Sequence, residues 1–430
     1  MYLKISTFLI SLSFILNGCG SSKSSDTTKA YFGDKENNLI VVVNIDDMKV
    51  ENTIVTSHEK TYALELIKTQ SNKHDKSKKM YVDNRGSNVI DVFVPSTNSI
   101  VKSIDLDFYP RSIDVNKQTG LVAVSSTNKA MTSIIDSNND TVIATVGEDV
   151  VTYPTTSGHD YLSSGTLSSG HPHWIDEEHF ILIDRQNKKI ITYKIKKDIN
   201  GNWVTSKLNE LLTPSPVHNL IPPEIHGQKG KKHDLYTSTI FYATAEGSTD
   251  IYPSVLKLEF IENQGLYIVE NLEIKKEGLS SNIMGVHHLN FLKDQKTIYI
   301  GSDEGTLFVV DYTTSPMKIT KTIKAGKGAG HTDEMKHNDI AIVINHKDKF
   351  ITVINTKTHK KIADIVVSNL DEVGNVQIQS HPQYHFSEDG RYFYLFLTQE
   401  GALVKVDLDN KVVSKRLEIG GKLAMGTFTH

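Results

Sequence analysis

Residues 42–54 read VVNIDDMKVENTI: an apolar run, a polar turn at Asp46-Asp47, then Lys, Glu and Thr alternating with Val and Ile. Residues 92–104 (VFVPSTNSIVKSI) and 353–365 (VINTKTHKKIADI) repeat that order. A buried run, a tight turn and an alternating run make an antiparallel hairpin with one half-exposed strand. Working outward, each hairpin follows a further short run of small or aromatic residues, at 30–33, 80–83, 121–125, 180–184, 240–245, 298–303, 340–345 and 392–398. The unit recurs about every 40 residues, the period of a propeller blade. Seven units follow residue 60, and an eighth set (30–33, 40–45, 50–56) lacks one strand. The last residues, 423–430, form a lone strand-like run that can complete that set and cover its edge. The expectation is an all-β chain: a single β-propeller over residues 30–430, with eight four-stranded antiparallel blades closed by the C-terminal strand. Seven blades plus an insertion is the alternative. Two stretches break the rhythm, 150–170 (Ser/Gly-rich) and 221–236.

The 430 residues are 38% hydrophobic and 23% charged, the balance of a globular chain. Forty-seven basic residues against 51 acidic give a net charge of −4, which argues against nucleic acid as a partner. One cysteine excludes disulfide scaffolds, thiolate zinc fingers and iron–sulfur clusters. Eighteen histidines leave imidazole, with carboxylate, as the ligand chemistry on offer.

Residues 1–18 hold one early cation, Lys4, and a short apolar run, the shape of a secretory signal. The run ends Leu16-Asn17-Gly18-Cys19, which resembles a bacterial lipobox. That resemblance implies lipidation at Cys19, a tether over 19–29, and a protein anchored in the cell envelope at the outer membrane, facing periplasm or surface.

Eleven of the histidines fall at or just before the innermost strand of a unit, or on the closing strand: His171, His173, His218, His226, His287, His288, His331, His337, His381, His385 and His430. Inner strands line the axial channel, so these imidazoles can converge from several blades on one ion. Aligning the units sets His173, His288 and His385 at one level, with His171, His226, His287, His331, His337 and His381 as candidates to complete a Zn or Cu site. Free imidazole titrates near 6.5, so metal binding is expected to weaken below that pH. His58, His74, His179, His346 and His359 fall in turns or outer strands and are expected in solvent.

The three quoted hairpins resemble the YVTN-type and nitrite-reductase-like propeller repeats of surface and periplasmic proteins. A shorter likeness is to the periplasmic zinc-chaperone propellers that serve zinc importers. Pro223-Glu224-Ile225-His226-Gly227-Gln228 is similar to their Pro-x-Leu-His-Gly-Glu segment, and His171-Pro172-His173-Trp174 to their His-rich strand start. It implies zinc binding by His226 and His173. The functional expectation is a lipid-anchored metal-binding protein or metallochaperone, monomeric, meeting the membrane through its anchor and a metal-transporter binding protein. A metal-dependent propeller enzyme, lactonase- or reductase-like, and a non-catalytic surface scaffold are the alternatives. No nucleophile or paired catalytic carboxylate is legible.

Overall fold

The computed structural model describes residues 28–67, 79–148, 169–223, 239–370 and 385–429. Cys19, His226, His381 and His430 lie outside them, as does the signal segment. The described residues form eight four-stranded antiparallel sheets, seven of them simple meanders. The blades span 61–105, 110–148, 173–212, 217–273, 286–324, 329–366 and 385–418; the eighth joins 423–429 to 29–55. The chain is an eight-bladed β-propeller.

The run types have direct structural counterparts. Middle strands are covered by neighbouring sheets on both faces and read as continuous apolar runs; Leu121–Ser126 and Thr306–Asp311 are buried throughout. Outer strands face water on one side, and Lys49–Val55 alternates residue by residue. Hairpin turns use left-handed residues such as Asn98 (φ 48°) and Asp140 (φ 54°). Blades pack through their faces. Ile181 and Ile183 of blade 3 share a core with Val217, Phe241 and Leu256 of blade 4. Blade 8 packs on both neighbours, Phe32 and Val43 against Phe396 and Leu403, and Tyr31 and Val42 against Leu64 and Phe93. The ring closes as expected: Leu423–Thr429 pairs with Lys29–Asp34, from Lys29 opposite Thr429 to Asp34 opposite Leu423.

One irregularity positions the site. Inner strands carry a β-bulge near their start. The ladder slips between Thr61 and Ala63, Pro110 and Ser112, Val217 and Leu220, Val286 and Leu289, and Ala329 and His331. A bulge re-aims the extra side chain out of the pleat. The residues so released are Tyr62, Arg111, His218 with Asn219, His287 with His288, and Gly330 beside His331. Since these blades repeat one meander, the inner strands run the same way and these bulges gather at one end of the axis.

Candidate metal centre

At that end, four consecutive blades contribute imidazoles. His171 precedes the inner strand of blade 3, His218 lies in blade 4, His287 and His288 in blade 5, and His331 in blade 6. The rings are in contact. His218 and His287 centroids are 3.9 Å apart, His288 and His331 4.2 Å, and His171 and His218 4.9 Å. The ligand atoms of His171, His218 and His288 lie within 4.8 Å of one another, and so do those of two overlapping sets, His287–His288–His331 and His218–Glu246–His287.

Cross-blade hydrogen bonds hold the backbones. The His171 N–H donates to the His218 carbonyl at 3.0 Å, and Thr244 Oγ1 donates to the His287 carbonyl at 2.7 Å. Gly170 permits the first approach, because a Cβ there would stand 2.7 Å from the His218 oxygen. Gly330 does the same for His346: a Cβ would meet its Cδ2 at 2.4 Å.

The partners set the tautomers. Glu246 Oε1 lies 3.1 Å from His218 Nδ1, and its other oxygen accepts from Arg185 at 2.6 Å. The ionised carboxylate can only accept, so His218 is protonated at Nδ1 and offers a bare Nε2. His171 Nε2 stands 3.2 Å from that atom and donates to it. The amide of Asn219 meets His288 Nδ1 at 2.9 Å and Thr244 Oγ1 at 3.1 Å. The Asn219 NH₂ donates to His288 Nδ1, and its oxygen accepts from the Thr244 hydroxyl, which the His287 carbonyl shares, so the neutral His288 ring carries its proton on Nε2.

Desolvation favours the neutral form of these rings, His218 being buried and His171 and His288 half-buried. It carries the His171 and His218 pKa values well below the ordinary one, helped at His171 by Arg111 and at His218 by the neighbouring imidazoles. His288 is lowered to about 3, by burial first, then His346 and Arg111. The lone pairs of His171, His218 and His288 are therefore expected to be lost at lower pH than the free-imidazole value near 6.5.

Several expectations on placement change. His173, His288 and His385 do not share a level. His173 sits inside the regular ladder opposite Ile181, 3.5 Å from Asp114, whereas His288 lies in a bulge. His385 pairs opposite Tyr394 and stacks on Phe428 at 5.1 Å. With exposed His337 it lines a cavity of about 840 Å³ beside Asp333 and Glu334. Those residues close the strand that holds His331, and the three residues from His331 to Glu334 span about 10 Å. His173 and His337 likewise stand outside the three ligand sets. His346, expected in solvent, is 1% exposed and 4.9 Å from His331. His179 is buried against Asp176 at 2.7 Å.

Glu246, Arg85, Arg185 and His346 escaped sequence reasoning, which followed inner strands only. Their signal was available: each directly follows the second strand of its blade, after Ala245, Asn84, Asp184 and Asn345. Arg85 covers Tyr62 at 3.4 Å, pairs with Asp83 at 3.1 Å and also donates to the Arg111 carbonyl at 2.5 Å. Arg111 donates to the Ser169 carbonyl at 2.7 Å, and burial together with Arg185 and Arg85 lowers its pKa to about 9.

No protein-family model matches the sequence, and no curated protein matches it. Solved structures do. The chain is similar to the dihydro-heme d1 dehydrogenase NirN in complex with DHE, at 13% identity over 93% of this chain and 74% of that one, with a TM-score of 0.60. It is similar to apo AztD from Citrobacter koseri, at 11% identity over 94% and 98% of the two chains and a TM-score of 0.55. The periplasmic gluconolactonase PpgL of Pseudomonas aeruginosa gives 10% identity over 79% and 95%, with a TM-score of 0.51. At these identities the likeness is one of fold.

Proposed function

We propose that this propeller binds a divalent transition metal, Zn²⁺ or Cu²⁺, through Nε2 of His171, His218 and His288, and acts as a metal-binding or metallochaperone protein of the cell envelope. The 3.2 Å separation of the His171 and His218 Nε2 atoms carries the reading. Two nitrogens on one tetrahedral zinc, each about 2.0–2.1 Å from it, stand roughly 3.3 Å apart. The pair thus has the spacing of two zinc ligands with a proton where the ion would sit, and binding displaces that proton to His171 Nδ1. Glu246 would hold the His218 ring, and Asn219, with its amide turned to accept from Nδ1, the His288 ring.

The overlap of ligand sets supports handling of the ion rather than its burial for good. His218, His287 and His288 each belong to two sets, so an ion could move toward His331 by exchanging His171 and His218 for His287 and His331 while His288 keeps hold of it. A lipid anchor at Cys19 and a transporter's binding protein as recipient complete the reading. His226 remains a candidate ligand through its motif likeness.

Calorimetry with Zn²⁺ and Cu²⁺ on untagged protein tests it. About one equivalent should bind, and His171→Ala and His218→Ala should each lower affinity by at least tenfold, the order expected for losing a ligand. Unchanged affinity in the double variant would sink the proposal.

A further inference from the structure

The arginines beside the imidazoles are not accounted for by metal binding, since guanidinium is no ligand and repels a cation. Arg111 and Arg185 are 5% and 3% exposed. Among the described residues no carboxylate lies within ion-pair distance of Arg111, whose side chain donates to the neutral Ser169 carbonyl. Arg185 spends one nitrogen on Glu246, while its Nε and NH1 are buried with no hydrogen-bond partner. A guanidinium carries five donors and always a charge, and leaving such donors unmet is costly. With neutral imidazoles, Arg85, Arg111 and Arg185 face Asp83 and Glu246, three positive charges against two negative. A bound divalent ion would raise the excess to three. Buried charge of that kind calls for an anion.

We infer that Arg111 and Arg185 bind an oxyanion, the carboxylate or phosphate group of a small ligand, beside the imidazole cluster. Arginine suits planar or tetrahedral oxyanions because its N–H groups are fixed in direction. The cluster's position gives the ligand a second contact. An anion held by Arg111 stands within electrostatic range of His171, His218 and His288, so anion and metal should each tighten the other by the same factor. The arginine site stands without a metal and can fail or hold independently of the metal reading.

The test uses the full chain, stripped of metal and exchanged into chloride buffer of constant ionic strength. Thermal unfolding and calorimetry are followed with inorganic phosphate and, separately, malonate. A rise in melting temperature with saturable binding is expected for at least one probe. Phosphate alone assigns a phosphorylated ligand, malonate alone a carboxylate, and both a general oxyanion site. Arg111→Gln should weaken binding roughly 10- to 100-fold, as loss of a charged hydrogen bond does. It should melt no lower than the wild type in anion-free buffer, because it removes an uncompensated buried charge. A purely structural arginine predicts the reverse, a lower melting point. Arg111→Lys, which keeps the charge, should bind with intermediate affinity. If neither probe binds the wild type, or if Arg111→Gln binds as tightly, the inference is overturned.

Discussion

Lowering the pH should unfold the metal-free protein through specific imidazoles, and His288 is the cleanest place to measure it. Its Nδ1 meets the neutral amide of Asn219, and burial lowers its pKa to about 3. In the unfolded chain it titrates near 6.5. Between these values the unfolded state binds a proton that the native state refuses, so stability is complete above about pH 7.5 and falls as pH drops. At pH 5 the loss from one such group is RT ln(1 + 10^1.5), about 2 kcal/mol. His288→Gln cannot be protonated and should lack that contribution. Whatever the substitution costs at pH 7.5, its cost at pH 5 should be smaller by about 2 kcal/mol. Urea titrations of both proteins at several pH values, in the absence of metal, give the difference. His171 and His218, depressed by the same burial, should each show the same convergence. A pH-independent gap between wild type and His288→Gln would refute the claim that the native ring stays neutral.

Zinc affinity should fall less than tenfold between pH 7.5 and 5.5, measured by competition with a chelator; three free imidazoles would lose about a thousandfold. Deleting 423–429 opens the inner edge of blade 8 and uncovers Phe32, so soluble yield should drop sharply, and a truncation that melts like the intact chain would refute closure by that strand. Gly330→Ala drives a Cβ into the His346 ring and should cost about 1–3 kcal/mol in chemical denaturation, an overpacking penalty. Cys19→Ser should move the protein from membrane to soluble fractions, since a multi-chain lipid anchor exceeds what stable attachment needs.

The blade pattern was legible because it rests on local, one-dimensional physics. Strand faces alternate or do not according to what covers them, and the hairpin at 42–54 shows both kinds within a few residues. The gathering of histidines at inner strand starts was legible for the same reason. The level of each ring was not. A register counted from the second strand assumes an unbroken ladder, and the bulges at Val217–Leu220 and Val286–Leu289 each insert residues that counting cannot see. That slip set His173 and His385 beside His288 and left His218 off the list of ligands. His346 was misread because its own segment looks like a turn, and its burial comes from blade 5 and from the bare backbone of Gly330.

By itself, then, the sequence determined an eight-unit β repeat, its need for a closing strand, and the supply of imidazole without thiol. Tertiary structure alone decided that His171, His218, His287, His288 and His331 meet, that Glu246 and Asn219 orient two of them, and that three arginines stand alongside. The reason is physical. Periodicity and turn chemistry act over a few residues, whereas convergence and burial depend on bulge geometry and on chain segments dozens of residues apart. The same distance in sequence separates each imidazole from the groups that hold it neutral.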